Sequence, residues 1–236
     1  MIHSFLRAAL AATLMVAMPA AYAQKPKIAP NAPGEKIANL AQLREEAEKY
    51  HACTCSCGCY AHDLDAQADL AIAYLQKRAA HNPKNQKLAL VLDIDETTLT
   101  NYSALAKSGF ALNGAGFYDW IQKASAPAIP GTLRLYKEAQ KLGVSVFFLT
   151  GRPEMLRAAT EKNLAEQGFT NYAELLLRKN DELKVPTIEY KSGRRAKIEA
   201  AGYVIAVSVG DQWSDLRGKP EAEYSVKYPN PFYYIP

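Results

Sequence analysis

Apolar residues follow two different spacings along the chain. Spacings of three and four residues predict helices over 35–50, 63–80, 132–141, 154–167 and 192–201. Short continuous apolar runs predict strands over 87–92, 144–149, 174–177 and 203–209. Strands that are apolar throughout and alternate with helices are typical of a parallel sheet covered on both faces. The pattern therefore predicts an α/β fold.

The first 23 residues have the features of a cleavable signal peptide. Arg7 precedes an apolar run over 8–17, and small residues lie before the expected cut after Ala23. The run is shorter than the roughly 20 residues that a membrane helix needs, although a retained anchor is the alternative. We expect an extended leader over 24–34, a single domain over 35–236, and a periplasmic or secreted protein without a stable membrane anchor.

The composition narrows the classes of function. The 236 residues include 28 Lys and Arg against 24 Asp and Glu, a formal net charge of +4, and no long basic run. This balance does not suggest a nucleic acid polymer as a partner. Only four histidines occur, so sites built on several histidines are hard to assemble. Carboxylates must carry any catalysis, and the oligomeric state is not indicated.

Polar residues directly follow the predicted strands. They are Asp93 and Asp95 after the first run, Thr150 and Arg152 after the second, and Asp211 and Asp215 after the last. Lys191 precedes the helix predicted from Ser192. Ligands of open parallel sheets bind outside the carboxyl ends of the strands. We therefore expect these side chains to meet in one site.

The ordered set resembles the four motifs of haloacid dehalogenase (HAD) superfamily phosphatases. The segments Asp93–Asn101 (DIDETTLTN), Gly210–Asp215 (GDQWSD) and Pro229–Pro236 (PNPFYYIP) are similar to the acid phosphatase branch, subfamily IIIB. That branch includes class B and class C acid phosphatases and plant vegetative storage proteins. The resemblance implies a HAD-like α/β fold with N-terminal helices and a small partial cap. It also implies an exported, Mg²⁺-dependent acid phosphatase.

Two carboxylates placed two residues apart suit the hydrolysis of a phosphate monoester. One carboxylate can attack phosphorus and form an aspartyl-phosphate, which divides the barrier in two. The second can give a proton to the leaving oxygen and later take one from water. We assign the first role to Asp93 and the second to Asp95. The expected substrate is a small phosphate monoester.

Several converging carboxylates would repel a phosphate ester unless cations were present. Mg²⁺ and Lys191 are the expected cations. Mg²⁺ prefers few carboxylates together with other oxygen ligands, which fits Asp93, a backbone oxygen of Asp95, and Asp211. Asp215 could bind the metal directly, bind it through water, or hold Lys191.

The remaining candidates concern substrate binding. Thr150 can donate its hydroxyl to the transferring phosphoryl group, and Arg152 either contacts substrate or packs outside the site. The segment 101–130 is too short for a large cap and is expected to form a small lid. Its aromatic residues, Phe117, Tyr118 and Trp120, either stack on a planar leaving group such as a nucleobase or form a small core.

Two alternative functions use the same set of residues. A phosphotransferase would pass the phosphoryl group from Asp93 to an alcohol instead of water. A noncatalytic storage or phosphate-binding relative would keep the fold and lose the activity. The intact Asp93 argues against the second alternative.

All four cysteines lie in one seven-residue stretch, at Cys53, Cys55, Cys57 and Cys59. An even number of cysteines in an exported protein suggests disulfides. A bridge between residues two apart is strained, so pairs four or six apart, or intermolecular pairs, are expected. A thiolate metal site with His51 or His62 as an added ligand is the alternative.

Overall fold

The apolar runs form a parallel sheet in a computed structural model, which describes residues 37–55, 58–111 and 114–235. The strands are β1 (Lys87–Leu92), β2 (Ser145–Pro153), β3 (Glu174–Arg178), β4 (Tyr203–Gly210) and β5 (Tyr224–Lys227). Their order is β3–β2–β1–β4–β5, and all neighbours are parallel. The prediction of a parallel α/β fold is confirmed. β5 was not predicted, because only Val226 among its four residues is buried.

The helices are α1 (Leu40–Ala52), α2 (Tyr60–Ala80), α3 (Tyr102–Lys107), α4 (Gly114–Gln122), α5 (Pro130–Lys141), α6 (Arg157–Glu166), α7 (Thr187–Ala200) and α8 (Trp213–Leu216). Two predicted starts were wrong. α1 begins five residues later than predicted, because the Asn39 side chain accepts from the backbone of Ala41 at 2.9 Å and caps the helix there. α7 begins at Thr187, five residues before the predicted start.

Side chains alternate between two hydrophobic clusters along β1. Leu90 and Leu92 face a cluster on the side of α2 and α5, whereas Ala89 and Val91 face a cluster on the side of α7. The period of two is that of a β-strand, and burial on both faces explains why β1 reads as a continuous apolar run. Each fully buried leucine stabilises the fold by about 1.5–3 kcal/mol.

The site-bearing part of the chain belongs to one compact unit that spans Asn39–Pro236. The segment predicted as a lid contains α3 and α4. The predicted signal peptide and leader lie outside the residues that the structure describes. Within the described ranges, no helix is both long and apolar enough to cross a bilayer.

A disulfide closes the turn between α1 and α2. It joins Cys53 to Cys59, six residues apart, and Cys59 is buried. Cys55 Sγ lies 3.2 Å from the Cys53 sulfur, and Cys57 lies outside the described residues. His51 stacks on Tyr102 with ring centroids 3.3 Å apart.

Candidate active site

A buried lysine joins two carboxylates at the carboxyl edge of the sheet. Lys191 Nζ lies 2.6 Å from Asp93 Oδ1 and also contacts Asp215 Oδ1. The Asp93 backbone N–H donates to the carbonyl of Val209 at 3.0 Å, so Asp93 leaves β1 next to the end of β4. Lys191 lies in the second turn of α7 and not at the start of a helix as predicted, because α7 begins at Thr187.

The surroundings of Lys191 keep it charged. Burial alone lowers the pKa of Lys191, but Asp215 and Asp93 together raise the pKa above its usual range. Burial also raises the pKa of Asp93 well above its ordinary value, and Asp215 and Asp211 partly cancel the opposing effect of Lys191. The ammonium of Lys191 therefore does not neutralise the carboxylates around it by itself.

The carboxylates of this cluster have the arrangement of a metal site. One oxygen each from Asp93, Asp211 and Asp215 lie within 4.8 Å of one another, and all three residues are buried. Burial and, to a smaller extent, Asp215 raise the pKa of Asp211 to about 6, against the lowering effect of the bonds from Asn230 and Gln212. The three carboxylates outnumber the Lys191 ammonium by two negative charges. Buried oxygen ligands with this excess charge fit a hard divalent cation.

Asp211 is oriented by donors from three parts of the chain. Thr97 donates its hydroxyl to Asp211 Oδ1 at 3.2 Å. Asn230 Nδ2 and Gln212 Nε2 donate to Oδ2 at 2.7 and 2.6 Å. Both oxygens are therefore held before any cation binds. Asn230 belongs to the C-terminal segment whose sequence resembled the acid phosphatases.

Gly210 allows Asp215 to approach the end of β4. A Cβ atom added to Gly210 would overlap the Asp215 carboxylate. Asp215 Oδ2 also accepts from the Gln212 backbone N–H at 2.8 Å, which closes the turn between them. The short distance from strand to helix thus requires glycine at position 210 and brings Asp215 to Lys191.

The side chain of Asp95 is held by two neighbours. Arg152 Nη2 donates to Asp95 Oδ1 at 2.7 Å, and Arg152 Nη1 donates to the Thr160 hydroxyl at 3.1 Å. Asn101 Nδ2 donates to the same oxygen of Asp95 at 2.8 Å. The side chain of Asp95 is 17% exposed, against 5% for Asp93. Of the two carboxylates, Asp95 is therefore the more accessible from the cleft.

Glu96, the residue after Asp95, is fully buried. Its oxygens accept from the Asn101 backbone N–H at 2.6 Å and from the Tyr233 hydroxyl at 3.1 Å. Burial raises the pKa of Glu96 to about 8, with a further contribution from Asp95, while the bonds from Asn101 lower it. Its backbone φ of +55° lies in the left-handed region, which is uncommon for a residue with a side chain.

Thr150 is fully buried within β2. Its hydroxyl oxygen accepts from the Arg152 backbone N–H at 3.1 Å. A threonine hydroxyl carries one donor hydrogen as well as its acceptor lone pairs. Among the described residues no acceptor takes that hydrogen, although Thr150 is not one of the residues that line the cleft at this edge of the sheet. The helix expected to begin near Pro153 starts as a 3₁₀ turn over Glu154–Leu156 and continues as α6.

A cleft of about 610 Å³ opens at this edge of the sheet. Its size is that of a small-molecule site. The apolar residues that line it are Phe117, Tyr118, Ile121, Pro153, Leu183, Val185, Pro186, Ile188, Tyr233 and Ile235. Trp120, which was expected either to stack on a leaving group or to form a small core, does not line this cleft. Its indole N–H donates to Asn101 Oδ1 at 2.9 Å, and its ring packs against the core.

Comparison with known proteins identifies the family. A family model described as HAD superfamily, subfamily IIIB (Acid phosphatase) matches residues 13–236. The chain belongs to this family. The resemblance to the acid phosphatase branch is therefore confirmed, and so is the α/β fold that it implied.

The relatives agree with this assignment. Acid phosphatase 1 of Solanum lycopersicum is 40% identical over 148 residues, which cover 61% of this chain and 58% of that protein. Stem 28 kDa glycoprotein of Glycine max is 35% identical over 181 residues, covering 75% and 70%. The structure of the class C acid phosphatase from Bacillus anthracis has a TM-score of 0.66 at 23% identity, covering 83% and 86%, and shows the same fold. The chain thus spans less than two thirds of the tomato protein.

Several residues of the site were not predicted to act there. Asn101, Asn230 and Tyr233 lie inside the sequence segments that resemble the family, which was the available signal. Gln212 lies beside Asp211, but its contact depends on the local turn. Arg178, at the end of the short strand β3, also lines the cleft and carried no motif.

Proposed function

We propose that this chain is an exported, Mg²⁺-dependent acid phosphatase that hydrolyses phosphate monoesters through an aspartyl-phosphate on Asp93. The observation that carries the proposal is the placement of Asp93 against Lys191, with the more accessible Asp95 at the mouth of the same cleft. A buried carboxylate beside an ammonium suits a nucleophile, and an accessible carboxyl suits proton exchange with a leaving group and with water.

In the first step, an Asp93 oxygen forms a bond to phosphorus while the bond from phosphorus to the ester oxygen breaks. Asp95 gives its proton to that oxygen, so the product leaves as a neutral alcohol. Arg152 and Asn101 hold the Asp95 carboxyl in place for this transfer. Thr150 and Lys191 donate to the phosphoryl oxygens as their charge is redistributed.

In the second step, water attacks the same phosphorus atom and the bond to Asp93 breaks. Asp95, now a carboxylate, accepts the proton of the water as the new bond forms. Inorganic phosphate leaves, and Asp93 returns to its starting state. The same residue thus serves as acid and then as base, which requires it to reach both the leaving group and water.

The carboxylate cluster would hold Mg²⁺ through Asp93, Asp211 and a backbone oxygen of Asp95. When bound, Mg²⁺ offsets negative charge and polarises the phosphoryl group. Contacts to Lys191 and to the Gln212 backbone occupy both oxygens of Asp215. These contacts favour a role for Asp215 in orienting Lys191.

The leaving group would lie against the apolar wall that Phe117 and Tyr118 form with the C-terminal segment. Aromatic rings at this position suit a planar leaving group, and nucleoside monophosphates are the first substrates to test. Trp120 is better assigned to holding Asn101, because that is the residue its indole contacts.

The decisive experiment measures phosphate release from p-nitrophenyl phosphate and adenosine 5′-monophosphate by the purified protein, with Mg²⁺ and with EDTA. We expect Mg²⁺-dependent release that Asp93→Asn abolishes. The matched control is Asp69→Asn, which removes an exposed carboxylate on α2 that pairs with Arg134. Full metal-dependent turnover by Asp93→Asn would show that the nucleophile is wrong.

Two further measurements complete the test. Added glycerol separates the hydrolase from a phosphotransferase, because only a transferase yields glycerol phosphate in amounts that rival inorganic phosphate. N-terminal sequencing of the protein recovered from outside the cytoplasm checks cleavage after Ala23. Absence of turnover with all esters would favour the noncatalytic alternative.

A further inference from the structure

Three cationic side chains line the cleft, and they differ in how their charge is balanced. They are Arg152, Arg178 and Lys191. Arg152 is paired with Asp95, and Lys191 is paired with Asp93 and Asp215. Arg178 has no carboxylate within ion-pair distance in the described part of the chain. It therefore brings an unbalanced positive charge to the cleft wall.

Arg178 is only 6% exposed, and its hydrogen bonds go to neutral acceptors. Nη1 donates to the carbonyl oxygens of Glu182 and Val185, at 3.2 and 2.7 Å, and Nη2 donates to the Thr187 hydroxyl at 2.9 Å. The guanidinium also lies 4.7 Å from the centre of the Tyr190 ring. These contacts fix its direction.

The contacts leave part of the guanidinium available. A guanidinium has five N–H groups, and the described contacts of Arg178 use three of them. Burying a charge without a counter-ion is unfavourable, so a fixed, unbalanced guanidinium on a cleft wall suits an anionic ligand. Burial also lowers the pKa of Arg178, although Tyr190 and Glu182 oppose that effect. An arginine remains charged at any physiological pH.

Arg178 contacts a residue that lies about one helical turn from the residue that we propose to hold the phosphoryl group. Its partner Thr187 and the catalytic candidate Lys191 are four residues apart on α7. Side chains four residues apart lie on one face of a helix, about one turn or 5–6 Å apart. An anion held by Arg178 would therefore lie close to, but separate from, a phosphoryl group held by Lys191.

We propose that Arg178 binds a second anionic group, a carboxylate or a phosphate, on the leaving-group side of the substrate. The proposal rests on the proposed function and narrows its substrate class to phosphate monoesters that carry another oxyanion a short distance from the ester. The planar guanidinium presents parallel N–H groups that match the two oxygens of such a group.

A purely structural role for Arg178 makes a different prediction. Its bonds to Glu182, Val185 and Thr187 also tie the loop before α7 to β3. If that were its whole role, its loss would weaken binding of all esters alike. Selective loss of binding for esters with a second anion is the effect that a structural role would not produce.

The test measures binding to the Asp93→Asn protein, which cannot form the aspartyl-phosphate, by calorimetry with Mg²⁺ present. The first ligand pair is phenyl phosphate and 3-carboxyphenyl phosphate. The second pair, adenosine 5′-monophosphate and adenosine 3′,5′-bisphosphate, separates a phosphate from a carboxylate as the second anion. We expect the member with two anions to bind about ten-fold more tightly in at least one pair.

Arg178→Met in the Asp93→Asn protein should reduce the ratio of the two affinities in a pair to about one. Arg178→Lys should give an intermediate ratio, because lysine keeps the positive charge but lacks the parallel N–H groups of the guanidinium. Arg194→Met is the matched control. Arg194 also lies against Tyr190, with its guanidinium 5.3 Å from the ring centre, but it pairs with Glu182 and does not line the cleft. It should keep the ratio of the parent protein.

Equal affinities within both pairs in the parent protein would overturn the proposal, as would a ratio that persists in folded Arg178→Met protein. If Arg178→Met does not fold, the Arg178→Lys ratio decides: an unchanged ratio overturns the proposal. Turnover of phenyl phosphate by protein with Asp93 intact is measured separately. If the protein turns over esters but shows no selectivity for a second anion, only this inference is wrong. If no ester binds at all, the proposed function is wrong as well.

Discussion

The Asn101 side-chain nitrogen lies 2.8 Å from Asp95 Oδ1. The other atom of the same amide, Oδ1, accepts from the Trp120 indole at 2.9 Å, which fixes which way the amide faces. The two hydrogen bonds from Trp120 through Asn101 to Asp95 thus connect α4 to the residue that we propose as acid and base. Their role can be tested at Asn101, which contacts the Asp95 carboxyl but exchanges no proton itself.

Asn101→Leu keeps the approximate volume of the side chain and removes its donor. We expect kcat for p-nitrophenyl phosphate to fall about ten- to hundred-fold, with a smaller change in KM, because a misplaced acid slows chemistry more than binding. Trp120→Phe should cause a smaller loss in kcat, because it frees the amide without removing it. An unchanged kcat in Asn101→Leu would show that Asp95 needs no such support.

Asn230 should govern metal affinity through Asp211. Asn230→Ala removes one of the two side-chain donors to Asp211 Oδ2, and loss of such a partner typically weakens metal binding about 10- to 100-fold. After removal of metal with EDTA, the Mg²⁺ concentration for half-maximal phosphate release should rise accordingly, with the maximal rate largely restored. Asn171→Ala, beside the amino end of β3, is the control. Equal Mg²⁺ requirements for the two variants would refute the role of Asn230.

Gly210→Ala should damage both stability and activity. The added methyl would overlap the Asp215 carboxylate, so Asp215 must move and Lys191 loses a partner. Overpacking of this kind costs about 1–3 kcal/mol in the free energy of unfolding. Gly193→Ala is the control, because its Cβ meets open space within α7. Urea unfolding measures the loss of stability, and kcat measures the loss of activity. A Gly210→Ala protein that matches Gly193→Ala in both measurements would contradict the packing argument.

His51 should make stability depend on pH. Burial lowers the pKa of His51 in the folded chain, whereas an unfolded histidine titrates near 6.5. Below pH 6.5 the unfolded chain therefore binds more protons, and the free energy of unfolding falls as the pH falls. We expect the drop in Tm between pH 7 and pH 5.5 to be smaller in His51→Phe than in the parent protein. His62→Gln reports the contribution of an exposed imidazole, and an equal drop in all three proteins would exclude His51 as the source.

The sequence allowed the strands and the polar residues at their ends to be predicted for one physical reason. A strand buried on both faces is apolar along its buried length, and β1 is apolar from Leu88 to Leu92 and ends directly before Asp93. Because parallel strands end at the same edge, Asp93 and Asp211 were expected together, and the structure brings their carboxylates together. The proximity of residues 118 positions apart thus followed from the pattern.

The remaining contacts depend on geometry that no local pattern encodes. Asn230 reaches Asp211 only because the segment after β5 turns back across the site, and β5 itself has one buried residue and therefore no apolar run. The sequence left open whether Trp120 stacks on a ligand or packs in a core, and the structure packs its ring against the core with its indole N–H on Asn101. Periodicity predicts which face of a helix is apolar, not which neighbour that face meets.

The segment over 229–235 touches the carboxylate edge at three separate points. Asn230 donates to Asp211, the Tyr233 hydroxyl donates to Glu96, and the Ile235 backbone N–H donates to Gln212. A polypeptide that ends after β5 would therefore keep the aspartates and Lys191 and yet lack the Asn230 donor to Asp211 and the Tyr233 donor to Glu96.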